Sequence, residues 1–123
     1  MTITADTRVR PGFRVTTAED LEQHYPAVPL YPGITAYPVT WTTPTDGSDP
    51  LPREAFVKFA PGAEYPDLDT HTDSAEVVLV LLGLLEDEGG SYTPGTRIEG
   101  VRGSSHTPKS PTGCLLYVMF PDR

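Results

Sequence analysis

A single cysteine, Cys114, stands among the 123 residues, so neither an internal disulfide framework nor a CxxC-type zinc site can be built. Basic residues are scarce too: nine Lys and Arg face 17 Asp and Glu, a formal net charge of −8. Phosphate-backbone binding needs clustered Lys and Arg, so nucleic acid is not expected as a partner. No apolar run approaches the ~20 residues of a membrane span, and no membrane partner is expected either. The opening Met1-Thr2-Ile3-Thr4-Ala5-Asp6 has neither the basic start nor the apolar stretch of a secretory signal, which makes the cytoplasm the expected location. A hydrophobic share of 37% suffices for one core and hence one domain. The excess lies elsewhere: 14 prolines and 11 glycines. Such a level means either disorder or a small β-protein with many turns.

The order of residues decides for the second. Residues 1–12 are polar, end in Arg10-Pro11-Gly12, and are expected to form a loose arm, with the domain proper over 13–123. Phe13-Arg14-Val15 is expected to be a short strand, and Thr17-Ala18-Glu19-Asp20 to cap a helix of one or two turns ending before Tyr25-Pro26. Proline interrupts every other helical window before residue 70. Between prolines, Gly33–Tyr37 and Val39–Thr43 carry the β-branched and aromatic residues of strands, with Pro38 marking an edge or bulge. Glu54–Phe59 alternates, and Val77–Leu82 is an apolar run expected to be buried on both faces. Leu84–Glu88 leads through Gly89-Gly90 into a hairpin, followed by strands at Thr96–Glu99 and Leu115–Phe120. The prediction is an all-β sandwich or barrel with at most one short N-terminal helix.

Three histidines can carry chemistry. His24, at the end of the expected helix, has nothing with ligand spacing around it and reads as a cap or surface residue. Asp69-Thr70-His71 differs, because an extended strand points residues i and i+2 to the same side. Glu76 enters the most apolar stretch of the chain, where a carboxylate is costly unless paired or metal-bound. His106 lies in the next strand or loop beyond Val101–Ser105. Two imidazoles and a carboxylate converging inside a small barrel suit a divalent transition metal with open positions. Taken singly, Glu76 equally fits a strand edge facing water, and His71 an ordinary loop histidine. Cys114 heads an apolar strand and reads as a buried, inert thiol. Tyr25, Tyr31, Tyr37 and Trp41 read as core or edge aromatics, one or two of which can line a pocket.

The spacing also resembles a known family. Gly62, Asp69-Thr70-His71, Glu76 and Gly83, over about 62–83, resemble the first cupin motif: four residues separate His71 from Glu76, and six separate Glu76 from Gly83. Gly95 followed by Gly103-Ser104-Ser105-His106, over about 95–110, resembles the second motif. Within the cupins, Leu85-Glu86-Asp87-Glu88-Gly89, the run Gly103–Ser110 and Gly113-Cys114 look like the cupin domain of ChrR-type proteins. The likeness covers roughly residues 53 to 120. Asp69 departs from it, standing where the first metal histidine belongs, and Val101 replaces the proline of the second motif.

The resemblance implies a jelly-roll barrel (a double-stranded β-helix) with His71, Glu76 and His106 as metal ligands. Asp69 is then a fourth ligand, a general base or a solvated loop acid. Fe(II) or Zn is the implied metal, with Mn, Ni or Co as further possibilities; some cupins that lose a ligand bind none. The implied activity is on an oxygen-rich small molecule such as a diketone, enol or polyketide-like compound. It proceeds either by Fe-dependent dioxygenation and C–C cleavage or by Lewis-acid cyclisation or isomerisation, with Glu76 and Asp69 at the reacting centre. The alternative is a non-catalytic ligand or metal sensor related to the ChrR regulatory domain, here without a cysteine-bearing sigma-binding module. A homodimer is expected, because barrel edges need cover and family cupins commonly pair.

Overall fold

The computed structural model describes residues 11–123. The expected arm therefore lies outside the described residues except for Pro11 and Gly12, which form an exposed turn. The predicted strand at Phe13–Val15 does not form: Phe13 makes an isolated bridge, and the chain then runs without regular structure to α1, Leu21–His24. That helix is one turn long, as the prolines dictate. Its Asp20 carboxylate accepts the Thr17 N–H at 2.6 Å, and Tyr25, already extended, ends it ahead of Pro26.

Twelve strands follow, all paired antiparallel. The larger sheet contains β1 (Val28–Tyr31), β2 (Ile34–Trp41), β3 (Pro52–Phe59), β6 (Glu76–Gly83), β9 (Arg97–Gly100) and β12 (Cys114–Met119), in the order β1-β2-β3-β12-β6-β9. The smaller one contains β4 (Ala63–Glu64), β7 (Leu85–Asp87), β8 (Gly90–Tyr92) and β11 (Lys109–Ser110), in the order β4-β11-β7-β8. A two-stranded ribbon pairs β5 (Asp69–Thr70) with β10 (Ser105–His106). Thus the last strand in sequence sits between β3 and β6.

The two expected strands around Pro38 are one, β2, and the proline is accommodated by a register shift against β3 between Pro38 and Thr40. The β7–β8 hairpin turns through Glu88-Gly89, with Asp87 opposite Gly90. Gly62, Gly83, Gly90, Gly95 and Gly103 all take positive φ, where a side chain is unfavourable, and the strands change direction there.

Alternation decides the packing. Ile34, Phe59, Val78, Val80, Leu85, Leu116 and Val118 point between the sheets and form the main core. Leu115, one residue out of phase, points to the opposite face, where Leu21 of α1 and Tyr37 cover it. The reading of Val77–Leu82 as buried on both faces holds only for its first half. Val77, Val78 and Val80 are buried, but Leu81 and Leu82 are exposed, at a register shift that leaves Leu81 without a partner in β12. Cys114 is buried, and burial pushes its thiol upward, in keeping with an inert role.

Candidate metal centre

The ribbon and the start of β6 bring the four predicted residues together. Pairing of β5 with β10 sets His106 directly across from Asp69. One residue beyond β5, the His71 N–H donates to the Ser104 carbonyl at 2.9 Å, and its own carbonyl accepts from Gly103 at 2.7 Å, which closes the ribbon. Glu76 arrives from the side as the first residue of β6. One donor atom from each of Asp69, His71, Glu76 and His106 lies within 4.8 Å of all the others. His71 Nε2 is 2.9 Å from Glu76 Oε1 and 3.3 Å from Asp69 Oδ2; His106 Nε2 is 3.4 Å from Asp69 Oδ2 and 3.9 Å from Glu76 Oε1. His24 is not part of this group; its Nδ1 lies 2.6 Å from the Thr16 hydroxyl.

Neighbours that spacing alone did not single out aim the imidazoles. The Asp87 carboxylate accepts from His106 Nδ1 at 3.0 Å, and is itself held by the Tyr92 hydroxyl at 2.8 Å and the Gly89 N–H at 2.7 Å. A carboxylate on Nδ1 fixes the proton there in the neutral ring, leaving the Nε2 lone pair facing the cluster. His71 Nδ1 meets the Ser104 hydroxyl at 2.9 Å. Gly100, paired with Glu76, makes room for this contact: a Cβ there would lie 2.8 Å from Ser104 Oγ and 3.1 Å from His71 Nδ1. Asp87 and Ser104 both sit in runs that resemble ChrR-type cupins, which was the available signal for them.

The loop joining His71 to Glu76 is clamped from the far side of β12. Arg123 donates to Asp73 through Nε at 2.8 Å and to the Pro52 carbonyl at 2.7 Å, with its guanidinium 3.8 Å from the Phe120 ring centroid. The Ala75 N–H donates to Asp122 at 2.9 Å, and the Asp122 N–H to the buried Ser74 hydroxyl at 3.1 Å.

The residues fit a metal ion. His106 Nε2 is buried and makes no hydrogen bond, with the Asp69 carboxylate 3.4 Å away across the space an ion would fill. Ligand atoms about 2.0–2.2 Å from one ion stand about 3 to 3.5 Å apart at tetrahedral or octahedral angles, close to the separations found here. Two imidazoles and two carboxylates are the donor set of a borderline-hard divalent transition metal.

Without metal, protons take over the same role. Contact with Asp69, then with Asp87, raises His106 from the usual 6.5 to about 9 despite burial. Glu76 chiefly raises His71. Burial acts to raise Asp69, but its contacts with His106 and His71 outweigh that and hold the carboxyl below its usual range. The sign follows directly. A raised histidine stabilises the folded state fully below 6.5, and that contribution disappears as pH climbs through about 9. Metal-free protein is therefore expected to lose thermal stability between those limits, and saturating metal to abolish the loss. Melting temperatures measured across that range with and without metal check this; a flat metal-free profile would contradict it.

No family model matches the chain, and no curated protein matches it. Solved structures do. An RmlC-like cupin from Shewanella frigidimarina superposes with a TM-score of 0.59 at 18% identity, covering 80% of this chain and 84% of that one. The fold is that of a cupin. KdgF from Halomonas sp. matches at 20% identity and TM-score 0.60, over 82% of this chain and 90% of the other. The complex of Rhodobacter sphaeroides SigE with the anti-sigma ChrR matches at 19% identity and TM-score 0.61. There the alignment takes in 96% of this chain but 62% of the other. Among the described residues no helix is long and apolar enough to cross a membrane.

Proposed function

We propose that this cupin is a metal-dependent enzyme acting on a small oxygen-bearing molecule, such as a diketone or enol. The observation that carries the reading is the convergence of one donor atom each from Asp69, His71, Glu76 and His106 within 4.8 Å of one another, with the buried Nε2 of His106 making no hydrogen bond. His71, Glu76 and His106 would hold Fe(II) or Zn, with Mn, Ni or Co as the other fitting ions. Bound iron supplies dioxygenation or oxidative C–C cleavage, whereas bound zinc supplies Lewis-acid cyclisation or isomerisation. Asp69 suits the part of fourth ligand, because its Oδ2 lies 3.3 Å from His71 Nε2 and 3.4 Å from His106 Nε2, near the spacing of ligand atoms around one ion. Asp87 and Ser104 keep both rings turned toward the ion.

The test is metal content after incubation with Fe(II) or Zn, followed by oxygen uptake with a dicarbonyl panel. Retention of about one ion per chain, with turnover, supports the enzyme; failure to retain any divalent ion overturns it. The likeness to the ChrR-containing complex supports a second reading, a ligand-sensing cupin. It is favoured if loaded protein binds a panel member with neither oxygen consumption nor product.

Two copies are expected to pair through β1. That strand is an edge of the larger sheet, and its Val28, Leu30 and Tyr31 are exposed. Sedimentation at micromolar concentration checks this, a monomer being the contrary result.

A further inference from the structure

Asp69, Glu76 and His106 border a cavity of about 270 Å³ inside the barrel. The rest of its wall is overwhelmingly apolar, with Val57, Phe59, Val78, Leu116 and Val118 contributing. Beyond the three candidate ligands, only two polar side chains among the described residues reach it, Arg123 and Tyr65. Arg123 is already engaged, bound to Asp73 and the Pro52 carbonyl and laid over Phe120. Tyr65 is not. Its ring packs against Tyr31 at 5.0 Å and Phe59 at 6.4 Å between centroids, but its hydroxyl makes no hydrogen bond to any described residue. Burial, reinforced by the charges of Asp69 and Glu76, raises the phenol further, so it keeps its proton and remains a donor.

Such a wall selects its occupant. Each ligand hydroxyl brought against valine and leucine loses its water partners and gains none, which costs about tenfold in affinity. An apolar body loses nothing of the kind and removes its own surface from water. A cavity of 150 Å³ holds benzene, so one of about 270 Å³ suits roughly ten to twelve non-hydrogen atoms.

We infer that the cavity takes a compact, mainly apolar ligand of that size. A single oxygen-bearing head would sit at the Asp69–Glu76–His106 end and accept a hydrogen bond from Tyr65. Polyhydroxylated ligands of sugar-acid type are rejected. The position of the head rests on the metal reading above; the apolar body rests on the wall alone.

Calorimetry on zinc-loaded protein tests this with three probes: 1-phenyl-1,3-butanedione, acetylacetone and glucuronate. The aryl diketone is expected to bind at least about tenfold more tightly than acetylacetone, and glucuronate at least about 100-fold more weakly than the aryl compound. Glucuronate binding as well as the aryl diketone overturns the inference. Tyr65→Phe keeps the ring packing and is expected to weaken the aryl diketone about tenfold, with zinc content and melting temperature unchanged. Unchanged affinity removes Tyr65 from the site. If the protein retains neither zinc nor any other divalent ion, the metal reading fails, and the same panel on metal-free protein still decides the cavity. An aryl preference there upholds the apolar body, and its absence overturns it.

Discussion

Substitution of His106 by alanine is expected to lower the affinity for Fe(II) or Zn by more than about 100-fold while the barrel remains folded. The imidazole supplies a donor atom whose approach is fixed on both sides: the β5–β10 pairing sets its backbone opposite Asp69, and Asp87 holds its Nδ1. No neighbouring side chain stands ready to replace it, because Glu76 and Asp69 are already committed to the same space. Asp87→Ala touches only the outer nitrogen and is expected to cost about 10- to 100-fold, the usual effect of releasing a ligand's orienting partner. Chelator competition gives both affinities, and circular dichroism separates loss of metal from loss of fold. If the His106→Ala protein retains metal like the parent, the proposed centre is wrong.

Gly83→Ala is expected to produce the largest loss of stability of any single methyl added to this chain, about 3–5 kcal/mol. Two effects act together. The residue sits at φ +76°, where an L side chain is strained, and an added Cβ would lie 2.0 Å from the Gly113 carbonyl and 2.8 Å from the Cys114 Cα. Both are backbone atoms at the β6–β12 junction, so no rotamer change relieves the overlap. Gly62 provides the comparison. Its φ is +82°, but nothing lies within 4 Å of the position a Cβ would occupy, so Gly62→Ala should cost only about 1–2 kcal/mol. Urea denaturation of the two variants measures the difference. Equal losses would show that the backbone conformation alone matters at Gly83.

The all-β architecture was legible from local signals, and the four clustered residues from such signals taken together with the resemblance to the cupin motifs. Proline at close intervals forbids helix, and the i, i+2 spacing of Asp69 and His71, followed by Glu76 at the entry to an apolar strand, marks one side of a barrel. What escaped depends on distant partners. Phe13–Val15 has strand composition, yet among these three only Phe13 makes a bridge. Leu81 and Leu82 are as apolar as Val78 and Val80, and the register shift against β12 at Leu81 has no signal in the order of residues. Asp87 and Tyr65 became members of the site through the β7–β8 hairpin and the turn after β4, and their chain positions carry no spacing rule that relates them to His106.

The place of β12 has a bearing on how the protein is made. Translation delivers β3 and β6 long before the strand that must lie between them, so the apolar flank of β6 waits with its hydrogen-bonding groups unpaired. The loop between His71 and Glu76 waits longer still, since Asp122 and Arg123, which clamp it, emerge after β12. A ribosome-bound chain ending before residue 121 therefore carries all four candidate ligands without the frame that holds them at coordinating distance. The coordinating geometry of the four residues thus belongs to the finished barrel alone.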